Sequence, residues 1–336
     1  MAIVNVPELK GFLLKANINY EEDVELSKIT YLRTGGTADY IIFPRTNEEV
    51  CEAIKILNSL SVKFKIIGAT SNLLFLDDKV YSCLLSTERL KGMFLNKDTA
   101  LIEAASGDML PELSRFALLH SSKGFEGLEG IPGTVGGAVF MNAGAYGYEI
   151  KNVLEFIEMV DFEGNLKKID KVDLKLGKRI SSLRKGDLKG VIVKCYFKYQ
   201  KGNTTAIAYR MENYHAKRHK YQDFLYPSLG SIFSGQIYKA LGEKDRYFKV
   251  VSAFFYLFRY KWKIFHKESP LNRKWINDLA VKRFKLNYDL QPFSDKTINC
   301  LVNRGQGTDE MVNYIRKIEE LTDGKIPVEN EIVEEF

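Results

Sequence analysis

Hydrophobic and polar positions follow two periods along this chain, and the periods mark out its elements. An apolar run at residues 39–44 (DYIIFP) predicts a short strand. Thr46 then opens a segment in which Val50, Ala53, Ile54 and Leu57 recur at helical spacing, with Glu49 three residues on to complete a capping box. Residues 64–67 give a second strand, ending in Gly68-Ala69-Thr70-Ser71-Asn72-Leu73-Leu74. The unit is strand, helix, strand, closed by a tight turn of small residues. Farther on, residues 191–199 (VIVKCYFKY) alternate like a strand, with Val191, Val193, Cys195 and Phe197 on one face, and residues 205–220 suit a helix. Thr308 caps a last helix with Met311, Val312, Ile315 and Ile318 inward, and Gly324 ends it. Residues 326–333 read as a final strand, with Ile326, Val328 and Ile332 on one face and Glu329, Glu331 and Val333 on the other.

The length of 336 residues predicts about two domains, and 45% hydrophobic with 27% charged residues excludes disorder, collagen and a small disulfide scaffold. Cys51, Cys83, Cys195 and Cys300 lie far apart without a C-x-x-C pair, so neither a zinc site nor a redox dithiol is suggested, and no metal is expected. A reduced cytoplasmic protein fits. Residues 1–15 lack the basic start and apolar run of a signal peptide, and the longest apolar stretch, residues 250–258, is about half a membrane span. The net charge of +6 is modest, but its placement is uneven. Residues 239–285 hold 13 Lys plus Arg against 4 Asp plus Glu, a local +9 that leaves the rest of the chain near −3.

Candidate chemistry concentrates in glycine. Residues 124–147 (GFEGLEGIPGTVGGAVFMNAGAYG) contain 8 of the 25 glycines, where turns or close backbone approach are needed. Within them, Ile131-Pro132-Gly133-Thr134-Val135-Gly136-Gly137-Ala138 joins a rigid turn to backbone without side chains. That suits a planar ligand and its phosphates, and it equally suits close helix–sheet packing. The turn at 68–74 offers consecutive N–H groups to a pyrophosphate, or is an ordinary strand-to-loop turn. It matches neither the dinucleotide fingerprint nor the P-loop.

Read in order, the motifs Thr30-Tyr31-Leu32-Arg33-Thr34-Gly35-Gly36, Gly68 through Leu74, and the block GIPGTVGGAVFMNAGAYG resemble the UDP-N-acetylenolpyruvoylglucosamine reductase family, flavoproteins of peptidoglycan precursor synthesis. The likeness continues through Arg179-Ile180-Ser181-Ser182-Leu183, Pro227-Ser228-Leu229-Gly230-Ser231-Ile232-Phe233, residues 294–303 and Val328-Glu329-Asn330-Glu331-Ile332, while residues 236–285 match poorly. The resemblance implies an α+β fold of the vanillyl-alcohol-oxidase type. Its FAD-binding domain would occupy residues 20–200, as two subdomains of about 20–80 and 81–200. A substrate-binding domain at 205–325 and a C-terminal strand at 326–336 would follow. It implies noncovalent FAD, since no histidine lies in either flavin motif, and NADPH as hydride donor. The flavin contacts carried over are Arg33, Gly35, Gly68, Ser71, Asn72, Leu73, Gly130, Pro132, Gly133, Thr134, Gly136, Gly137, Asn142, Gly144 and Ala145.

In that family NADPH reduces the flavin, which passes hydride to an enolpyruvyl double bond, and the resulting carbanion is protonated. By motif position, Arg179 would steady the enolate-like charge, Ser231 would donate the proton, and Glu331, kept protonated, would assist Arg179. Four departures fall on this pattern. Thr70 stands for a glycine, Lys178 for a tyrosine and Thr297 for a histidine, and Ser231-Ile232-Phe233 is followed by Ser-Gly instead of Lys-Asn-Pro. They bear on substrate contacts more than on flavin contacts, and the divergence of residues 236–285 leaves open a flavin-binding relative with a changed substrate or a non-catalytic sensor of a cell-wall precursor; a flavin oxidase of the same fold is a further alternative. The basic segment 239–285 reads as cations for a nucleotide-sugar diphosphate, as a solvated helix, or as an interfacial helix at a membrane. Membrane contact is not expected but stays open, and nucleic acid has no reading motif.

Overall fold

The computed structural model describes residues 6–262, 273–334 and 336, so part of the divergent basic segment, residues 263–272, lies outside the described residues. Three sheets organise the chain. The first runs in the order Asn19–Glu25, Thr37–Phe43, Val80–Ser86, Lys65–Ile67, antiparallel in its first pair and parallel afterwards. The helix Asn47–Ser59 makes the crossover, and its stripe of Val50, Ala53, Ile54 and Leu57 is buried against Tyr40, Ile42, Cys83 and Leu85. Only half of the capping box forms. Thr46 Oγ1 accepts from the Glu49 N–H at 3.2 Å, but Glu49 turns its carboxylate to Arg45, accepting from its N–H at 2.8 Å and its guanidinium at 2.7 Å. The first sheet also passes the expected division at residue 80. Val80–Ser86 is buried along most of its length and so pairs as an interior strand with Thr37–Phe43 and Lys65–Ile67.

The second sheet is antiparallel throughout, in the order Leu166–Asp170, Leu154–Asp161, Gly190–Lys198, Leu101–Ala105, Met93–Asn96. Val191, Val193, Cys195 and Phe197 are all buried, but not on one face as their alternation predicts. Val191 and Val193 pack into the first sheet's core and Cys195 and Phe197 into the second's, with Ile192 buried as well and a register shift in the partner strand between Glu158 and Met159. Helices Leu110–Leu119 and Val135–Phe140 supply the other side of this core. The helix Thr204–Tyr221, expected to begin the substrate domain, instead packs back on Leu110–Leu119 and the turn Glu126–Leu128, burying Ile207, Met211 and Arg218.

The third sheet pairs Ser228–Ser231, Thr297–Val302 and Phe293–Ser294. Helices Ile237–Leu241, Arg246–Tyr256, Arg273–Arg283 and Thr308–Leu321 enclose its core of Phe248, Phe255, Ile276, Phe293 and Tyr314, which joins the first sheet's body through Leu32 and Leu74. Thr308 is the first helical residue rather than the cap. Its N–H donates to Asp77 Oδ2 at 2.9 Å and its hydroxyl accepts from the Asp77 N–H at 2.8 Å, so a distant carboxylate holds the helix N-terminus.

The last strand is also shorter than its alternation predicts, because the segment changes partners midway. Phe233 and Val328 form an antiparallel bridge and the Glu329 N–H donates to Ile232 O at 2.7 Å, whereas Glu331–Val333 pairs in parallel with Leu73–Phe75. Pro327, without an N–H, stands at the start of the irregular part.

Candidate active site

A cavity of about 1180 Å³ opens where the three bodies meet, above the usual 300–1,000 Å³ of a single-ligand pocket. One wall is glycine and backbone. The turn after Lys65–Ile67 faces residues 130–137 so closely that a Cβ on Gly68 would lie 2.4 Å from Thr134 Oγ1, and one on Gly133 2.8 Å from Ser71 Oγ. Ser71 Oγ closes the contact by donating to Pro132 O at 3.0 Å. These glycines let two motifs touch. Gly137 differs, since a Cβ there would meet only Thr134 Oγ1, at 3.4 Å, and otherwise project into the cavity.

Backbone donors are divided unevenly between the two motifs. The N–H groups of Val135, Gly136 and Gly137 are already taken by Asp108 O, Ser106 O and Thr134 Oγ1. Among the described residues, the N–H groups of Ala69, Thr70, Ser71 and Asn72 have no acceptor in the protein. Four consecutive free donors at a cavity wall form a nest for an anion such as a pyrophosphate. Thr70 holds φ at +53°, where glycine would be relaxed and a β-branched residue is strained. Its hydroxyl compensates by accepting from the Tyr31 N–H at 2.8 Å.

Of the residues expected to touch flavin, Arg33, Gly68, Ser71, Asn72, Leu73, Gly130, Pro132, Gly133, Thr134, Gly136, Gly137, Gly144 and Ala145 line the cavity. Gly35 and Asn142 do not. Gly35, at φ +116°, packs under Phe75 and Leu26 and donates its N–H to Asp77 Oδ1. Asn142 is buried, donating to Glu149 Oε2 and Gly177 O and accepting from the Lys151 N–H. Asn72 commits its side chain elsewhere too, donating to Glu329 O and accepting from Asn330 Nδ2.

The opposite wall is made of side chains from distant segments. Arg179, Ser231 and Glu331 all reach the cavity. Arg179 sits at φ +56° in an irregular loop, with Nε 3.4 Å from Glu329 Oε2. Ser231 ends its strand after Gly230 at φ +69°, is exposed to the cavity, and its Oγ has no hydrogen-bond partner among the described residues. Glu331 accepts from Lys65 Nζ, a cation on the first sheet. Arg184 ties these parts together, donating to Arg179 O at 2.6 Å and to Glu329 O at 2.9 Å. Arg218 does the same for the glycine block. It donates to Glu129 O and Gly127 O, is almost wholly buried, and has its pKa pushed down chiefly by that burial. Among the described lining residues Arg33, Lys65, Arg179, Arg218 and Arg273 outnumber Asp223, Glu329 and Glu331, so the field favours anions.

The FAD binding domain matches residues 38–170, which span both motifs of the glycine wall. The UDP-N-acetylenolpyruvoylglucosamine reductase of Streptococcus thermophilus (strain ATCC BAA-491 / LMD-9) is 35% identical over 233 residues, 69% of this chain and 75% of the relative. The chain belongs to the UDP-N-acetylenolpyruvoylglucosamine reductase family. A member from Caldicellulosiruptor saccharolyticus is 36% identical over 223 residues, covering 66% of this chain and 71% of its own length. The crystal structure of UDP-N-acetylenolpyruvylglucosamine reductase from Thermus caldophilus has the same fold, with a TM-score of 0.69 at 23% identity over 94% of this chain and 100% of the other. The α+β FAD-binding fold inferred from the motifs is thus the one present.

Four side chains of this reductase-family site escaped the sequence reading. Lys65 is one cation in a strand, and nothing local links it to a residue 266 positions away. Arg184 and Arg218 sit in basic runs that read as solvated surface. Glu329 is not singled out by motif position as Glu331 is, although residues two apart on extended chain share a face and both carboxylates line the cavity.

Proposed function

We propose that this chain reduces UDP-N-acetylglucosamine enolpyruvate to UDP-N-acetylmuramate, using noncovalent FAD and NADPH. The observation that carries this reading is the convergence of Arg179, Ser231 and Glu331 on the cavity whose facing wall is the glycine-bare surface of the FAD binding domain. The free N–H groups of residues 69–72 would hold the FAD pyrophosphate, and the bare surface at Gly137 leaves room for its ring system. Bound there, FAD supplies the hydride that adds to the enolpyruvyl double bond.

The chain's own residues manage the charge and the proton. The Arg179 guanidinium, oriented by Glu329 and by the Arg184 grip on its carbonyl, forks onto the substrate carboxylate, where charge develops. Ser231 presents an uncommitted hydroxyl and donates the proton to the carbon. Glu331 would assist there only as the neutral acid, donating from its own hydroxyl, while the Lys65 ammonium that faces it supplies a further cation beside that charge. The surplus of cations in the cavity suits a nucleotide-sugar diphosphate. The reaction assigns the chain to peptidoglycan precursor synthesis in the cytoplasm, and through it to cell wall biogenesis, cell shape and division.

The purified protein should be yellow, should release FAD on denaturation, and should oxidise NADPH in proportion to added enolpyruvyl substrate. A colourless protein that FAD cannot reconstitute would refute the flavin reading. NADPH oxidation indifferent to that substrate would replace the substrate and keep the flavin.

A further inference from the structure

The helix Arg246–Tyr256 and its continuation Leu257–Lys261 are apolar on two sides. Phe248, Ser252, Phe255 and Arg259 form the inward stripe and are buried. Val250, Phe254 and Leu257, spaced i, i+4, i+7, form an outward stripe that is 56%, 55% and 41% exposed, with Tyr247 and Phe258 beside it. A helix that is apolar on both faces needs a covering on each. Cations border the uncovered one: Arg246, Lys249 and Lys261 are exposed around it. The neighbouring carboxylates already face cations, Asp245 with Arg283, Glu243 with Lys325 and Asp278 with Lys274. Tyr260, Trp262 and Trp275 add partly exposed aromatic rings.

We propose that this face docks on the surface of an anionic lipid bilayer. Charge chooses the occupant. An isologous contact with a second copy would press together two patches from a segment with 13 Lys plus Arg against 4 Asp plus Glu, and like charges at an interface are repulsive. Anionic headgroups complement the cations, while the outward stripe reaches the boundary between headgroups and acyl chains. Aromatic rings with polar edges suit the same boundary. No described helix is long and apolar enough to cross a membrane, so the mode is one of lying on the surface. None of the outward residues lines the cavity, so docking leaves the reaction site accessible. The proposal stands independently of the substrate assigned above.

Sedimentation of the full-length, FAD-loaded protein with vesicles tests it. Binding is expected with phosphatidylcholine mixed with phosphatidylglycerol, not with phosphatidylcholine alone, and it should weaken as salt is raised. Replacing Arg246, Lys249 and Lys261 together by Gln should lower the partition coefficient by about 10²-fold, as expected for three cations at an anionic surface. Phe254→Glu with Leu257→Glu should abolish binding, with the circular dichroism spectrum and reductase turnover unchanged because both side chains point away from core and cavity. Failure to bind anionic vesicles, or equal binding to neutral ones, overturns the proposal. So does a dimer in solution that Phe254→Glu dissolves, since a second copy would then be the occupant.

Discussion

The two walls of the cavity are built by opposite means. The glycine wall, proposed above to face the flavin, consists of backbone and absent side chains, and its two motifs are pressed together at Gly68 against Thr134 and at Gly133 against Ser71. The opposite wall, proposed to face the substrate, consists of charged and hydroxyl side chains brought from four segments and fixed by other side chains, Lys65 on Glu331, Glu329 on Arg179, and Arg184 on two main-chain carbonyls. The first wall is specified by residue type over short stretches. The second is specified by tertiary pairing. Damage to the first should therefore empty the cofactor site, and damage to the second should leave the cofactor in place and slow one half of the reaction.

Adjacent glycines give the largest and cleanest contrast. A Cβ on Gly136 would lie 2.8 Å from Ser106 Cβ, whereas Gly137 faces open cavity. Gly136→Val should destabilise the fold by roughly 1–3 kcal/mol through overpacking, seen as a lowered Tm. Gly137→Val should keep the parent Tm of the flavin-free protein yet lose nearly all bound flavin, read as flavin absorbance per polypeptide. Equal flavin content in Gly137→Val and parent would move the cofactor away from this wall.

On the other wall, Ser231→Ala removes the one uncommitted hydroxyl assigned to the carbanion. Reduction of bound flavin by NADPH should proceed at the parent rate. Reoxidation by the enolpyruvyl substrate should slow by roughly 10²–10⁴-fold, the usual loss with a general acid. Glu331→Gln should divide the half-reactions the same way. Unchanged reoxidation with weakened binding would make Ser231 a ligand contact and send the search for the proton donor elsewhere.

Arg184 tests whether the second wall depends on its scaffold. Its guanidinium joins the loop of Arg179 to the segment of Glu329, 145 residues away in sequence from Arg184 itself. Hydrogen bonds to a charged group contribute about 1.5–3 kcal/mol, so Arg184→Met should lower kcat/KM for the enolpyruvyl substrate by roughly 10- to 10²-fold. The flavin reduction rate and flavin content should stay at parent values, and Arg184→Lys should restore part of the loss. A parallel fall in flavin content would show that the two walls are not separable at this residue.

Legibility follows the same division. The elements of the first body were readable because one-residue properties decide them: helical spacing at Val50, Ala53, Ile54 and Leu57, and small residues at 68–72. The cavity position of Arg179, Ser231 and Glu331 came from motif order rather than from any local pattern. Gly35 and Asn142 lie outside the cavity lining, where a glycine under Phe75 and an amide bridging Glu149 and Gly177 have structural work that leaves the same trace in sequence as a ligand contact. The last strand misled because alternation records which face a residue takes, not which strand it pairs with, and here the partner changes between Glu329 and Glu331. Lys65, Arg184 and Arg218 were invisible, since a basic residue that binds a remote carboxylate or carbonyl looks like one that binds water.

Cys300 supplies the smallest test, of how firmly the substrate wall is sealed. It lies opposite Ser231 in the register of the third sheet and belongs to the cavity lining, yet only 5% of it is exposed. Burial, the largest influence, pushes its thiol pKa up to about 11, so at pH 8 the thiolate population is small. Since the thiolate is the nucleophile, alkylation of Cys300 by iodoacetamide at pH 8 should be about 10²-fold slower than that of a free thiol of ordinary pKa. Raising the pH toward 11 should accelerate it, because the neutral form is the one the wall favours. Peptide mass mapping of timed samples reads the rate directly. Rapid labelling at pH 8 would mean that Ser228–Ser231 and Thr297–Val302 part often enough to wet the wall, and that the hydroxyl of Ser231 is placed by substrate rather than by the sheet.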